Sequence, residues 1–150
     1  MIASNVMTKN PLTISQDAKV KDSIALFQST QLHDLPVIDS DNRPVGSIST
    51  RAILHAAVPA YAADNKLLAA MEGGPDIASV YNNLKSISEK PVAEIMDRHI
   101  RPVHGDTPTS AVAAMLTNLH HDCFNILVVD DEGQLIGTIS SRDIVCRTPE

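Results

Sequence analysis

Hydrophobic residues follow the same order in the two halves of this chain. In the first half, Asp17 precedes a helical pattern and is expected to cap that helix. Two apolar runs, residues 35–38 and 45–48, enclose a polar turn and predict a hairpin of buried strands, after which Ser49 or Thr50 begins another helix. The first helix is recognised from apolar residues at helical spacing, Val20, Ile24 and Phe27. With an extended segment at its start, this half has the order β-α-β-β-α.

The second half repeats that order. A strand over residues 100–103 precedes a helix over about residues 107–119. The runs 126–129 and 135–139 form a second hairpin, and a last helix begins near Ser141. The inward-facing residues of the longer helix are Val112, Met115 and Leu116. Because the strands are nearly continuous apolar runs, we expect both faces of the sheets to be buried.

The two halves also share sequence at a nearly constant spacing. Val37-Ile38-Asp39 returns 91 residues later as Val128-Val129-Asp130, and Val6-Met7 returns 89 residues later as Ile95-Met96. One copy of such a repeat cannot bury its apolar face alone. We therefore expect one α/β (α+β) globule in which two repeats pack sheet to sheet with pseudo-twofold symmetry and a cleft at the seam.

This duplication divides the chain into three parts of one tandem module. Repeat one comprises residues 1–57, a helical insert comprises residues 58–90, and repeat two comprises residues 91–150. At 150 residues, the chain is long enough for one compact domain.

The insert is the part that the duplication explains least. Residues 61–71 predict one helix, Gly73-Gly74-Pro75 ends it, and Asp76 can cap another helix. This second helix has a regular apolar stripe of Ile77, Val80, Tyr81, Leu84 and Ile87. The stripe either packs on the chain's own core or lies at a homodimer interface or over the mouth of a cleft. We favour the second interpretation, because the tandem module has a complete core without the insert.

Composition and charge narrow the classes of function. Aromatic residues make up only 3% of the chain, so the core is aliphatic. A net charge of -6 argues against nucleic acid or an anionic membrane as the main partner. The chain has no apolar run long enough to span a membrane and no signal peptide at its start, and Cys123 and Cys146 form no CxxC motif. These features predict a cytoplasmic protein without a disulfide.

The repeated motifs resemble those of the CBS-domain family, named after cystathionine beta-synthase. The resemblance rests on the leading Val6-Met7, on Leu35-Pro36-Val37-Ile38-Asp39, and on Gly137-Thr138-Ile139-Ser140-Ser141-Arg142-Asp143. It covers nearly everything outside about residues 56–90. It implies a stand-alone regulatory module, often a homodimer, with an adenosine-containing ligand in a cleft between repeats. AMP, ADP, ATP, S-adenosylmethionine and NAD are such ligands, and their presence is transmitted to a protein partner or through the dimer.

The closing motif of repeat two contains the residues best suited to a ribose. One carboxylate can accept both hydroxyl protons of a vicinal diol, and Asp143 fits this role, with Ser140 supplying a further hydroxyl. The resemblance implies partners in repeat one, among them His33 as a phosphate donor. The predicted ligand-binding residues are Ser140, Asp143, His33, Met7, Leu12, Leu32, Thr138 and Arg142. A capping box at the last helix is the structural alternative for Ser140 and Asp143, and it is compatible with ligand binding by Ser140.

The reciprocal cleft departs from this pattern at two positions. Ala52 stands where repeat two has Asp143, and Phe124 stands where repeat one has His33. We therefore expect the second cleft to lack both a carboxylate for the diol and a basic contact for phosphate. The sequence predicts one competent and one degenerate nucleotide site per chain.

The sequence contains no motif for catalysis or metal binding. The His-His-Asp-Cys sequence at residues 120–123 lacks a second cluster that would complete a tetrahedral zinc site. GxSxG, HExxH and P-loop motifs do not occur. We expect no enzymatic activity, no metal and no required cofactor. The alternative to ligand sensing is a structural dimerisation or scaffold module whose clefts both stay empty.

Overall fold

The computed structural model describes residues 1–58, 76–118 and 125–147, which form a mixed α/β fold as predicted. The strands in these ranges are β1 (Thr8–Lys9), β2 (Ile14–Ser15), β3 (Asp34–Ile38), β4 (Pro44–Ser49), β5 (Val103–His104), β6 (Asn125–Val129) and β7 (Leu135–Ser140). The helices are α1 (Ala3–Val6), α2 (Val20–Ser29), α3 (Thr50–Ala57), α4 (Ile77–Ser88), α5 (Val92–Ile95), α6 (Thr109–Thr117) and α7 (Ser141–Val145).

Each repeat contains the antiparallel hairpin that its apolar runs predict. Strands β3 and β4 pair in repeat one and β6 and β7 pair in repeat two, each with a register shift near its turn. The turns use equivalent residues with positive φ, Asn42 at 61° and Gly133 at 82°. A short strand pairs in parallel with the first strand of each hairpin, β2 with β3 and β5 with β6. The hairpin prediction is confirmed in both halves.

The leading segments of the two repeats, residues 3–9 and 92–98, are exchanged in space. Ala3 and Val6 of the first segment are buried in the apolar cluster of repeat two, and β1 pairs with β7. Val92 and Met96 of the second segment are buried in the cluster of repeat one. The sequence boundaries at residues 57 and 91 therefore do not coincide with the boundaries of the two apolar cores.

The structure corrects the predicted bounds of three elements. Asp17 does not cap α2, which begins at Val20 after Lys19, whose backbone N–H donates to the Asp22 carboxylate at 3.0 Å. The strand predicted over residues 100–103 is confined to Val103–His104, because Pro102 has no N–H to donate to a neighbouring strand. The helix predicted over about residues 107–119 is α6, which begins at Thr109 after Pro108. Within the described residues, it extends to Thr117.

Helix α4 of the insert packs partly on its own chain. Asp76 caps it as predicted, accepting from the backbone N–H of Ala78 at 3.0 Å. Val80 and Ile87 are 5% and 7% exposed in the cluster of repeat one, with Leu84 packed beside them. The expectation that the stripe leaves the chain's own core is wrong for these three residues, because the core of repeat one includes them.

The remaining residues of the stripe and the end of the helix behave differently. Ile77 and Tyr81 are 62% and 60% exposed. Lys19 and Lys21 donate to the Glu89 carboxylate at 3.0 and 3.3 Å, and these contacts lower the pKa of that carboxyl. The two ion pairs connect the end of α4 with the start of α2. The predicted helix over residues 61–71 and the break at residues 73–75 lie outside the described residues.

Across residues 1–58, 76–118 and 125–147, no helix has both the length and the apolar character needed to cross a bilayer.

Candidate ligand clefts between the repeats

Equivalent residues of the two repeats meet at the seam between the hairpins. The Asn125 Nδ2 donates to the Asp34 Oδ1 at 2.7 Å, and these two residues occupy the same position of their repeats, 91 residues apart. At the turns, the backbone N–H of Leu135 donates to the Asn42 carbonyl at 2.9 Å. The pair of Asp34 and Asn125 therefore marks the pseudo-twofold axis, with one cleft on each side of it.

The first cleft lies where α7 of repeat two meets β1 of repeat one. The Asp143 Oδ2 accepts from the backbone N–H of Ser140 at 2.7 Å and from the Ser140 hydroxyl at 3.0 Å. The Asp143 N–H in turn donates to the Ser140 Oγ at 3.3 Å, which completes the capping box considered in the sequence. The other carboxylate oxygen, Oδ1, accepts from the Thr8 hydroxyl at 3.3 Å.

The structure brings several of the predicted residues together at this cleft. Thr138 pairs with Thr8 across β7 and β1 and is 9% exposed. The Met7 side chain lies against Gly137, where an added Cβ would be 2.5 Å from the Met7 Sδ. Thr8 was missed by the sequence analysis, although its place directly after the recurring Val-Met pair was a signal for it.

Other predicted residues lie elsewhere or are exposed. Leu12 and Leu32 are 40% and 42% exposed, and Arg142 is also exposed. The His33 carbonyl accepts from the backbone N–H of Thr50 at 2.9 Å, at the start of the helix that carries Ala52. This backbone contact lies within repeat one, and the role of the His33 side chain beside Asp143 stays a prediction.

The second cleft contains a cavity of about 460 Å³ that both repeats line. It lies beside the segment after α5, where Asp97 and Ser47 exchange backbone hydrogen bonds of 2.8 and 2.9 Å. The cavity is lined by Asp34, Pro36, Ser47, His99, Ile100, Arg101, Ala114, Met115, Asn118, Asn125, Ile126 and Leu127. Its volume falls within the range of small-molecule sites, about 300–1,000 Å³.

The acidic and basic residues that line this cavity differ in exposure. Asp34 is 7% exposed and Asn125 is half-buried, and their hydrogen bond lies at the axis. His99 and Arg101 are exposed and therefore lie at the mouth. The His99 Nδ1 lies 3.0 Å from the Asp97 Oδ1, and the Arg101 side chain makes no hydrogen bond or ion pair with another described residue. The Arg101 guanidinium could therefore donate charge-assisted hydrogen bonds to an anionic group at the mouth.

This is the cleft that the sequence analysis expected to be degenerate. Ala52 donates its backbone N–H to the Ser49 Oγ at 2.9 Å, so α3 keeps a serine cap without a carboxylate on its third residue. Phe124 lies outside the described residues. His99 and Arg101 supply basic side chains at this cleft that do not depend on the residue at position 124. Arg101 stands at the position equivalent to Leu12 when the repeats are aligned at a spacing of 89, and that alignment was a signal for it.

The described residues contain no group of three His, Cys, Asp or Glu side chains arranged to hold a metal ion. Residues 120–123, which the sequence analysis considered for zinc, lie outside the described ranges.

Comparison with known proteins identifies the same duplication. A family model described as the CBS domain matches residues 3–59 and 92–147, which together make up more than half of the chain. Among curated proteins, the chain is 25% identical to the uncharacterised protein MJ1426 of Methanocaldococcus jannaschii, over 97% of this chain and 89% of that protein. The chain spans only 22% to 24% of three longer relatives whose names are those of enzymes, among them an L-aspartate semialdehyde sulfurtransferase.

Solved structures share the fold. CBSX2, a CBS-pair protein of Arabidopsis thaliana, has been solved in complex with AMP, and that structure is 22% identical with a TM-score of 0.68 over 97% of this chain and 93% of the other. The CBS domain pair of MJ0100 has been solved with 5′-methylthioadenosine and S-adenosyl-L-methionine. It is 18% identical, with a TM-score of 0.66 over 97% of this chain and 94% of the other.

Proposed function

The chain belongs to the CBS-domain family, and we propose that it is a regulatory module that binds an adenosine-containing ligand between its two repeats. The observation that carries this proposal is the cavity at the seam, which is lined by both repeats and has basic residues at its mouth. The AMP complex of CBSX2 and the methylthioadenosine and S-adenosylmethionine complex of MJ0100 support the ligand class. We expect the module itself to have no catalytic activity.

The chemistry of the two clefts suits different parts of such a ligand. In the cavity, apolar residues such as Ile100, Ile126 and Leu127 can sandwich a flat purine, and Arg101 can hold an anionic group at the mouth. In the first cleft, Asp143 can exchange its contacts with Thr8 and Ser140 for a ribose diol. We propose the cavity as the principal site and the Asp143 cleft as a second position.

Ligand binding can be transmitted through the exchanged leading segments. The segment that carries His99 and Arg101 extends from α5, which packs in the core of repeat one, into repeat two. A ligand in the cavity would hold this segment against the hairpins of both repeats. The ligand shifts the arrangement only by the difference between its affinities for the two states. We propose that a homodimer or a protein partner reads this shift.

Titration with a panel of adenosine ligands tests the proposal. AMP, ADP, ATP, S-adenosylmethionine, 5′-methylthioadenosine and NAD are added to the purified protein up to millimolar concentration, and thermal unfolding and calorimetry are recorded. A ligand present at a hundred times its Kd should stabilise the fold by about 2.7 kcal/mol. No stabilisation and no heat of binding with any member of the panel would contradict the proposed function.

Replacing Asp143 with alanine separates ligand binding at the first cleft from a structural role. We expect the loss of the capping contacts to lower the free energy of unfolding by about 0.5–2 kcal/mol. If Asp143 also binds the ribose diol, calorimetry of the variant should show no binding at this cleft. Asp22→Ala is the matched control, because the Asp22 carboxylate makes a similar cap at α2 and is not among the residues of the first cleft.

The same pair of variants tests the scaffold alternative. The capping box at Ser140 and Asp143 favours that alternative, since it accounts for both residues without a ligand. If neither cleft binds a ligand, Asp143→Ala and Asp22→Ala should both reduce stability. The unmodified protein and both variants should then show no heat of binding. Equal binding by both variants would remove Asp143 from the proposed ligand contacts.

Replacing Arg101 with alanine tests the mouth of the cavity. We expect about a tenfold loss of affinity for ligands with an anionic end and little change for 5′-methylthioadenosine, which has none, because only the charge-assisted contact is removed. The measurement is calorimetric titration at low and at physiological salt. Arg98→Ala is the control, since the Arg98 Nη2 donates to the Ala93 carbonyl at 3.0 Å and does not line the cavity. Equal losses in both variants would indicate a general effect of charge and would exclude a specific contact with Arg101.

A further inference from the structure

We propose that the Thr8 hydroxyl is an internal competitor for ligands at Asp143 and lowers the affinity of the first cleft for a ribose diol. The inference follows from the contact between the Thr8 hydroxyl and the Asp143 Oδ1 at 3.3 Å, which joins residues 135 positions apart. It rests on the proposed function and concerns the second of the two ligand positions proposed there. Thr8 acts in the free protein, where it occupies the carboxylate oxygen that a ribose hydroxyl needs.

The hydrogen-bonding capacity of the Asp143 carboxylate is largely used within the chain. A carboxylate has about four lone-pair sites, two on each oxygen. Both sites of Oδ2 are taken by Ser140, whose backbone N–H donates at 2.7 Å and whose hydroxyl donates at 3.0 Å. Thr8 takes one site of Oδ1, which leaves one site for a ligand. A single ligand hydroxyl can therefore bind beside Thr8, whereas the two hydroxyls of a diol need Thr8 to leave.

Of the groups that donate to Asp143, Thr8 makes the contact that a ligand displaces most easily. The contacts of Ser140 are shorter and belong to the capping box of α7, so their loss would destabilise that helix. Thr8 is exposed, so its hydroxyl can donate to water after rotation of the side chain. A ligand with a diol therefore exchanges the Thr8 contact first.

The fold holds the Thr8 hydroxyl at this carboxylate. Thr8 pairs with Thr138 across β1 and β7, and β7 leads directly into the helix that carries Asp143. Ala3 and Val6 of the same leading segment are 0% and 5% exposed in the core of repeat two. Because these contacts fix the backbone of β1 beside β7, the hydroxyl leaves and returns by rotation of its side chain alone.

The second cleft has no equivalent pair of residues. The repeats align at a spacing of 89 for Thr8 and of 91 for Asp143, which places Asp97 and Ala52 at the corresponding positions. Ala52 has no side-chain acceptor, so no carboxylate stands there for the chain's own hydroxyl to occupy. Competition of this kind is therefore confined to the first cleft, and it favours the cavity as the principal site.

Replacing Thr8 with valine tests the competition, because valine keeps the branched shape of threonine and lacks the hydroxyl. Binding of AMP is followed by the methyl NMR signal of Met7, which precedes Thr8 and lies against Gly137, while Met115 reports on the cavity. Apparent affinity falls in proportion to the fraction of molecules that remain competent to bind. We expect Thr8→Val to bind AMP about fivefold more tightly at the Met7 site, from the usual net strength of one hydrogen bond. The affinity at the Met115 site should not change.

Two controls isolate the hydroxyl and the diol. Thr8→Ser retains the hydroxyl and should bind AMP as the unmodified protein does. 2′-Deoxy-AMP has one ribose hydroxyl, which can use the site beside Thr8, so Thr8→Val should leave its affinity nearly unchanged. The selectivity for AMP over 2′-deoxy-AMP at the Met7 site should therefore rise about fivefold in Thr8→Val and stay as it is in Thr8→Ser.

The outcomes separate this inference from the proposed function. If AMP does not shift the Met7 signal of Thr8→Val, removing the hydroxyl has not opened the cleft and the inference is overturned. The proposed function fails only if no adenosine ligand of the panel binds at either cleft. A loss of AMP affinity at the Met7 site in Thr8→Val would also overturn the inference, because Thr8 would then bind the ligand. An equal gain in Thr8→Ser would do the same, because the effect would not come from the hydroxyl.

Discussion

Replacing Val80 with glutamate is expected to abolish the folded state of repeat one. Val80 is 5% exposed within the same apolar cluster as Leu35, Val37 and Ile48. A glutamate there would lose the buried methyl groups and place an unpaired carboxylate in an apolar core, at a cost of about 4 kcal/mol or more. Since small domains are stable by only about 5–15 kcal/mol, urea unfolding followed by circular dichroism should show a large fall in the midpoint or no cooperative transition.

Tyr81→Glu is the matched control on the same helix. Tyr81 is 60% exposed, so the same charge at the next position should change the free energy of unfolding by no more than about 0.5 kcal/mol. The pair tests whether α4 is part of the core or only covers it. A folded Val80→Glu variant with near-normal stability would show that the insert helix detaches from the repeat without loss of the core.

Replacing Gly46 with alanine is expected to separate the second leading segment from repeat one. An added Cβ at this position would lie 2.6 Å from the Asp97 carbonyl oxygen and 2.9 Å from the Met96 Sδ. The carbonyl is held by the backbone N–H of Ser47 at 2.9 Å, so it cannot move without breaking that hydrogen bond. We expect a loss of about 3 kcal/mol, at the upper end of the cost of overpacking, measured as the shift in the urea midpoint.

The same change should also disturb the cavity, because the displaced segment continues into His99 and Arg101. Gly105→Ala is the control, since an added Cβ there meets its nearest neighbour, the Ser4 Cβ, at 3.4 Å. That variant should retain stability and ligand binding. If Gly46→Ala bound ligand normally with unchanged stability, the contact between the leading segment and β4 would have no role in forming the site.

The sequence predicted the features that depend on neighbouring residues. Apolar runs around a polar turn located both hairpins, because a pair of strands joined by a short turn is specified by residues close together in the chain. Serine and aspartate before an apolar pattern located the starts of α3, α4 and α7 for the same reason. The capping box of Ser140 and Asp143 was also visible in the spacing of the two residues.

The prediction for Asp17 shows the limit of such local signals. A capping residue is recognised only by its type and its distance from the apolar pattern, and Asp22 makes the observed contact by reaching back to Lys19 from within the helix. The strand predicted over residues 100–103 failed in a similar way. Its apolar composition was correct, but Pro102 interrupts pairing, and Ile100 and Arg101 line the cavity.

The residues that bind a ligand stay a prediction. Duplication indicated two clefts at the seam, and the closing motif directed attention to Ser140 and Asp143. The cavity, however, lies on the side of repeat one that carries Ala52, and its ionisable lining residues are Asp34, His99 and Arg101. None of these three residues belongs to the motifs that recur between the repeats, so comparing the two copies motif by motif did not find them.

The repeats, hairpins, helix caps and aliphatic character of the core were therefore determined by the sequence alone, since each depends on composition or on residues a few positions apart. The tertiary structure decided the exchange of the leading segments, the burial of Val80 and Ile87, and the meeting of Asp34 with Asn125. These features depend on which apolar surfaces pack together, and several surfaces in a duplicated chain have nearly the same pattern. Which of these apolar surfaces pack together is decided when the whole chain folds and both cores exclude water.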